Sequence, residues 1–203
     1  MIRLDKDGGL WTVTLARPDK ANALTEAMLA ELVAIAESAR AARVLVLTGA
    51  GAVFSAGADL DAARAGLATS PLWERLSAAI AGLPGFTIAA LNGTVAGGAM
   101  GMVLACDLRV AVPSARAFYP VMRLGFLPQP SDPGRLVRLI GPARARLMLM
   151  GGRRIDAATA LAWGLFDHIA EAGRLIDEVR EIAADTLAAD PAHAAAIKRM
   201  CAD

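Results

Sequence analysis

The chain is poor in the side chains that most often carry covalent chemistry or bind metals. Among 203 residues there are two cysteines and two histidines, and aromatic residues make up only 4%. Cys106 and Cys201 lie far apart with no ligand-like spacing, which gives no support to a disulfide framework or a zinc site. No serine or cysteine sits in a recognisable nucleophile elbow. An excess of one charge is also lacking. Lysine and arginine total 21 against 20 aspartates and glutamates, a net charge of +1, so neither nucleic acid nor an anionic membrane is indicated as a partner. No run reaches the roughly 18 uninterrupted apolar residues of a membrane span. The first ten residues interrupt their apolar positions with charges and two glycines, unlike a signal peptide. These absences lead to the expectation of a soluble, cytoplasmic protein whose partner is a small molecule.

What the chain has in abundance is apolar surface to bury. Hydrophobic residues make up 56% of the sequence, enough for one sizeable core and one domain over residues 1–203. Ile2–Leu4 and Leu10–Leu15 read as strands joined by the turn signal Asp7-Gly8-Gly9. From Thr25 and Glu26 to about Arg40, Met28, Leu32 and Ile35 recur on one helical face. Val44–Leu47, Thr87–Leu91 and Leu108–Val112 are short apolar runs ending in Gly- or Pro-containing turns, the pattern of strands buried on both faces. Helical segments are expected at Leu72–Ala81, Gly98–Cys106, Pro133–Ile140, Ala143–Met150, Asp156–Trp163 and Leu175–Ala189. Strand, loop and helix in alternation predict an α/β fold with a partly parallel sheet.

Two loops stand where free backbone N–H groups collect in such sheets. One reads Phe54-Ser55-Ala56-Gly57-Ala58-Asp59-Leu60, the other Asn92-Gly93-Thr94-Val95-Ala96-Gly97-Gly98-Ala99-Met100. Small residues at Ala56, Gly57, Gly97 and Gly98 would let a ligand carbonyl approach the main chain, and two converging N–H groups could stabilise charge developing on its oxygen. The alternative reading of each loop alone is a tight strand-to-helix turn.

Taken together with Arg17-Pro18, Lys20-Ala21-Asn22-Ala23-Leu24, Ala105-Cys106-Asp107, Leu124-Gly125-Phe126-Leu127-Pro128 and Ala162-Trp163-Gly164-Leu165-Phe166-Asp167, these loops make the sequence resemble the enoyl-CoA hydratase/isomerase (crotonase) family from about Ile2 to Lys198. The resemblance implies a crotonase-like spiral of repeated ββα units, assembled as trimers or dimers of trimers, with a shortened C-terminal helical region at about 142–203. It implies an acyl-CoA substrate and no cofactor beyond the coenzyme A of that substrate. On the same basis the N–H groups of Ala56 and Gly98 would form an oxyanion hole. Lys20, Ala21, Leu24, Ala56, Gly57, Ala58, Asp59, Leu60, Gly98 and Val121 would contact the acyl-CoA.

The resemblance fails at two catalytic positions. A hydratase of this family positions water with two glutamates, for which carboxylates suit proton transfer. Here those positions fall on Gly101 and Val121, and the flanking Met100, Met102, Pro120 and Met122 are not acids or bases. Ordinary hydration is therefore not expected. Gln129, at a position where some family members carry a carboxylate, can hydrogen-bond but not carry a proton at neutral pH. Asp132 is a second candidate, against the reading of a helix cap before Pro133. Tyr119 could donate a hydrogen bond into the pocket or be structural. His168, His193 and Cys106 have simpler structural readings. Asp59 and Asp61 suit a helix start as well as a ligand.

Overall fold

The computed structural model describes residues 1–171 and 173–201. Ala172, Ala202 and Asp203, within the expected C-terminal helical region, lie outside the described residues. The N-terminal hairpin forms as expected: β1 (Ile2–Asp7) pairs antiparallel with β2 (Leu10–Leu15). Helix α1 (Glu26–Ser38) follows, with the Thr25 hydroxyl accepting from Met28 N.

Three pairs of strands then repeat one plan. β3 (Val44–Gly49) is followed by β4 (Val53–Ser55), β5 (Phe86–Leu91) by β6 (Thr94–Ala96), and β7 (Leu108–Ala111) by β8 (Arg116–Phe118). Short helix α2 (Leu60–Arg64) and α3 (Leu72–Ala81) follow the first pair, α4 (Ala99–Leu104) the second, and α5 (Val121–Leu124) with α6 (Asp132–Leu149) the third. Each first strand enters one sheet and each second strand another, which makes the path a spiral of ββα units. The chain ends with β9 (Ile155–Asp156), α7 (Ala157–Trp163), β10 (His168–Ile169), α8 (Leu175–Ala188) and α9 (Pro191–Met200).

The larger sheet has the order β1-β2-β3-β5-β7-β10, parallel from β2 onward; the smaller has the order β4-β6-β8-β9, with only β8 and β9 antiparallel. The apolar run in β3 serves two cores. Leu45 and Leu47 pack with Leu32, Leu76 and Ile80, while Val44 and Val46 join Ile88, Val110 and the α8 residues Leu175 and Val179 on the opposite face. Successive strand side chains point to opposite faces, so an unbroken apolar run is what a doubly covered strand requires.

Besides the two-residue β9 and β10, the structure adds three strands to the sequence reading. The segments read as loops contain β4 and β6, and β8 lies beyond Pro113. Each has three residues, too few for a periodic pattern to register. The two helices expected at Pro133–Ile140 and Ala143–Met150 are the arms of α6, which bends where Gly141 adopts φ 79° and ψ 162° before Pro142. Glycine supplies the positive φ, and proline removes a helical donor. Among the described residues, no helix is long and apolar enough to cross a membrane.

Candidate active site

Strands β4 and β6 run parallel and adjacent, with Val53 opposite Thr94 and Ser55 against Val95. The two small-residue loops therefore leave the smaller sheet side by side. Gly57 and Gly97 have φ of 92° and 56°, and a Cβ on Gly57 would lie 2.8 Å from the Ala96 carbonyl oxygen and 3.4 Å from Gly97 Cα. Glycine is required at Gly57 twice over, for its backbone conformation and for the close approach of the neighbouring chain.

The loops are held from below by the segment after β2. Asn22 is fully buried; its Nδ2 donates to the carbonyls of Ala50 (2.9 Å) and Val53 (2.7 Å), and its Oδ1 accepts from Arg17 N at 2.8 Å. The Ser55 hydroxyl donates to Asn22 O and accepts from Gly57 N. Sequence reasoning quoted Asn22 within a motif but gave it no role. Its available signal was a lone amide flanked by alanines, and it stands at a positive φ of 52°, which asparagine tolerates better than most residues. Asn22→Ala removes a donor to two carbonyls and an acceptor for one N–H, and is expected to destabilise the fold by about 3 kcal/mol. Denaturant unfolding of the variant checks this, and a change under 1 kcal/mol would contradict it.

The backbone donors of the first loop differ from expectation. Ala56 N–H donates to the Ala21 carbonyl at 2.9 Å, Gly57 N–H to Ser55 Oγ, and Asp59 N–H to Leu24 O at 2.9 Å. Ala56 therefore cannot offer its N–H to a ligand while this loop holds its shape, which corrects its assignment as a donor. Ala58, between these bonded groups, has no protein acceptor for its N–H among the described residues, and neither does Gly98 in the second loop. Both residues are half-buried. Ala58 follows Gly57 and Gly98 follows Gly97, so the two free donors flank the point where the loops touch. Gly98 caps α4, and a Cβ there would meet the Trp73 ring at 3.1 Å.

The other expected contacts divide. Ala21 and Leu24 act through their backbones: the Ala21 carbonyl takes the Ala56 N–H, and Leu24 bridges Ala58 while its side chain is fully buried in the core. The Leu24 side chain is therefore not placed to meet a ligand, and the contact expected of Leu24 is left to its backbone. Asp59 accepts from Arg17 Nη1 at 2.7 Å and caps α2 through Asp61 N and Ala62 N. The Arg17 guanidinium first, and then these backbone N–H groups, hold its carboxyl below the usual carboxylate range. Lys20 and Leu60 are exposed beside this loop, and Val121 opens α5 as a buried residue.

Asp132 does not cap a helix. It is the first residue of α6, where no side-chain cap bond forms, and its side chain is fully buried. Its Oδ2 accepts from the Tyr119 hydroxyl at 2.9 Å, and its Oδ1 has no hydrogen-bond partner among the described residues. Arg135 Nη1 stands 3.9 Å from Oδ1 and donates to Ser77 Oγ instead. Glu74 of α3 fixes the start of α6 by accepting from Ser131 N and Ser131 Oγ. Desolvation raises the Asp132 carboxyl to about 6, against the lowering effects of Tyr119 and Arg135. Burial, with the neighbouring carboxylate, pushes the Tyr119 hydroxyl up as well.

Gln129 contributes its backbone N–H, 3.4 Å from the Tyr119 hydroxyl, and its side chain makes no hydrogen bond among the described residues. His168 pairs with Glu178 on the surface at 2.6 Å. Cys106 is buried with its thiol pushed up to about 12 by desolvation, which suits a core residue and not a nucleophile. Among the described residues, no group of three or more His, Cys, Asp or Glu side chains could hold a metal ion.

A spiral of ββα units, with two touching small-residue loops that set the unbonded N–H groups of Ala58 and Gly98 on either side of their contact, defines the fold and the candidate site. The family model for enoyl-CoA hydratase/isomerase matches residues 5–202, and the chain belongs to that family. A carnitinyl-CoA dehydratase of Escherichia coli K12 is 34% identical over 209 residues, covering 98% of this chain and 79% of the relative. YngF of Bacillus subtilis, which carries the same family name, is 36% identical over 188 residues, covering 88% and 72%. Among solved structures, an enoyl-CoA hydratase from Bacillus anthracis superposes with a TM-score of 0.90 at 33% identity, covering 98% of this chain and 81% of the other. DspI of Pseudomonas aeruginosa gives a TM-score of 0.89 at 30% identity, covering 98% and 85%.

Proposed function

We propose that this protein is an acyl-CoA enzyme that polarises its substrate's thioester carbonyl between the N–H groups of Ala58 and Gly98 and stabilises the enolate. The observation that carries the reading is that these two N–H groups have no protein acceptor among the described residues and flank the point where the two loops touch. Backbone donors held rigidly in place need no reorganisation as charge develops on the oxygen, and each is worth about 3 kcal/mol in such sites. Lys20, exposed next to Ala21, whose carbonyl holds the first loop through Ala56 N–H, would meet the phosphates of coenzyme A. Residues 1–203 would act as one domain, in a trimer or a dimer of trimers that light scattering can test.

The proton chemistry of a two-glutamate hydratase is not part of this reading, because Gly101 and Val121 carry no acid. The same observation favours a second reading, an accessory protein that binds acyl-CoA without turning it over. Calorimetry with butyryl-CoA and a crotonyl-CoA hydration assay test both. Binding with little or no hydration is expected; efficient hydration would overturn the reading of positions 101 and 121, and absence of binding would overturn the hole.

A further inference from the structure

The space next to Gly101 is filled by a carboxylate from another element. A Cβ built on Gly101 would lie 3.1 Å from Asp132 Oδ1 and 3.2 Å from Oδ2. A side chain at 101 would project toward this place, and its absence leaves room for Asp132 to enter from the start of α6. Oδ1, the nearer atom, is the one buried side-chain oxygen or nitrogen among the described residues that has no hydrogen-bond partner. A buried carboxylate oxygen without a partner is destabilising. A fold that keeps one beside a ligand site therefore invites a functional explanation.

We propose that Asp132 is the catalytic base of this protein, removing a proton from C2 of the acyl-CoA thioester and returning it, with Tyr119 as the residue that positions it. The proposal rests on the reading of Ala58 and Gly98 as the oxyanion donors. Gly98 and Gly101 are three residues apart at the start of α4, which places them on one helical face about 5–6 Å apart. C2 is two bonds from the thioester oxygen, so an oxygen bound at Gly98 N–H brings C2 toward the carboxylate.

In the step, Oδ1 takes the C2 proton, the C–H pair becomes the C1–C2 double bond, and the carbonyl π pair moves to the oxygen held by the two N–H groups. Reversal returns the proton to C2. With a 3-enoyl-CoA, return to C4 moves the double bond into conjugation, with no water added and no redox partner. The substrate class is thus an acyl-CoA with an acidic C2–H, and the reaction class is proton exchange or 1,3-isomerisation. The carboxylate faces Tyr119 from the segment after β8, Arg135 from its own helix and Glu74 from α3. Tyr119 favours the ionised form through its hydrogen bond, Arg135 favours it through charge, and Glu74 opposes it. A base in this setting titrates near pH 6 and is ionised at neutral pH.

The test follows C2–H exchange of butyryl-CoA in D2O by proton NMR, beside calorimetric binding, for the wild type, Asp132→Asn and Tyr119→Phe. In the wild type, exchange should rise with pH through an apparent pKa near 6. Asp132→Asn should lower exchange by about 100-fold or more with butyryl-CoA affinity and unfolding midpoint retained, since it removes a buried charge but keeps the shape. Tyr119→Phe removes the hydrogen bond to Oδ2 and should move the pH profile to higher pH. A purely structural Asp132 would leave that profile unmoved. Binding without exchange in the wild type, or equal exchange in Asp132→Asn, overturns the role of Asp132 and leaves the hole intact. Failure of the wild type to bind overturns the hole, and the proposal with it.

Discussion

Gly98→Val is expected to weaken butyryl-CoA binding by about 100-fold, the loss of one strong hydrogen bond to a polarised oxygen. The backbone of Gly98, at φ −58° and ψ −22°, is ordinary for any residue, so conformational strain does not enter. The effect is steric. The new Cβ would sit 3.1 Å from the six-membered ring of Trp73, which is anchored by its indole N–H donating to Leu67 O at 2.7 Å. With that ring unable to retreat far, the remaining methyls would crowd the side on which a ligand oxygen must approach. The same crowding should cost about 1–3 kcal/mol of stability, so binding must be read together with the unfolding midpoint. Gly98→Ala separates the two effects: it adds only the Cβ and should retain most of the stability with a partial loss of affinity. A folded Gly98→Val protein with unchanged affinity would show that the oxygen does not sit at this N–H.

The strand runs and the two loops were legible because local pattern decides them. Val44–Leu47 announces a strand covered on both faces, and each of the two loops shows its small residues after such a run. The identity of the free donor was not legible. Whether Ala56 or Ala58 keeps its N–H depends on where the Ala21 carbonyl points, and that is set by Ala21 and Asn22 at positive φ, in a segment distant in sequence. The sequence leaves Asp132 open between a site residue and a helix cap for a related reason. Aspartate before proline at a helix start looks like a cap, and nothing local reveals that Glu74 takes over Ser131 and lets the carboxylate turn inward. The small side chain at 101 and the acid at 132 acquire meaning only through their contact. In the sequence, position 101 carries no acid, whereas the fold sets the Asp132 carboxylate beside it. The three short strands escaped notice because their pairing, and not their composition, makes them strands.

Arg109→Ala is expected to cost about 3 kcal/mol of folding stability, mainly from two buried carbonyls that lose a charged donor. Arg109 on β7 is 3% exposed. Its Nε donates to Leu165 O at 2.9 Å, its Nη1 to Cys106 O at 2.9 Å, and its Nη2 lies 2.7 Å from Asp167 Oδ2. The backbones close the same knot: Arg109 N donates to Asp167 Oδ2, and Asp167 N to Arg109 O. This arrangement explains the Gly164-Leu165-Phe166-Asp167 segment, which ties the turn after α7 to the parallel sheet just before β10 joins it. Removing the guanidinium leaves two carbonyls without donors, which is costly where water is scarce, and takes the cation from Asp167, whose side chain is 28% exposed and can turn to water. For a chain of this size the loss corresponds to a fall in Tm of about 10 °C. Arg109→Lys should recover only part of it, because an ammonium cannot present the fork that reaches three acceptors at once. A double-mutant cycle with Asp167→Ala isolates the pair: the combined loss should fall short of the sum, since the second change removes a group the first had already stranded. Additive losses would mean that Arg109 acts through the two carbonyls alone, and a loss below 1 kcal/mol in Arg109→Ala would mean that water takes its place.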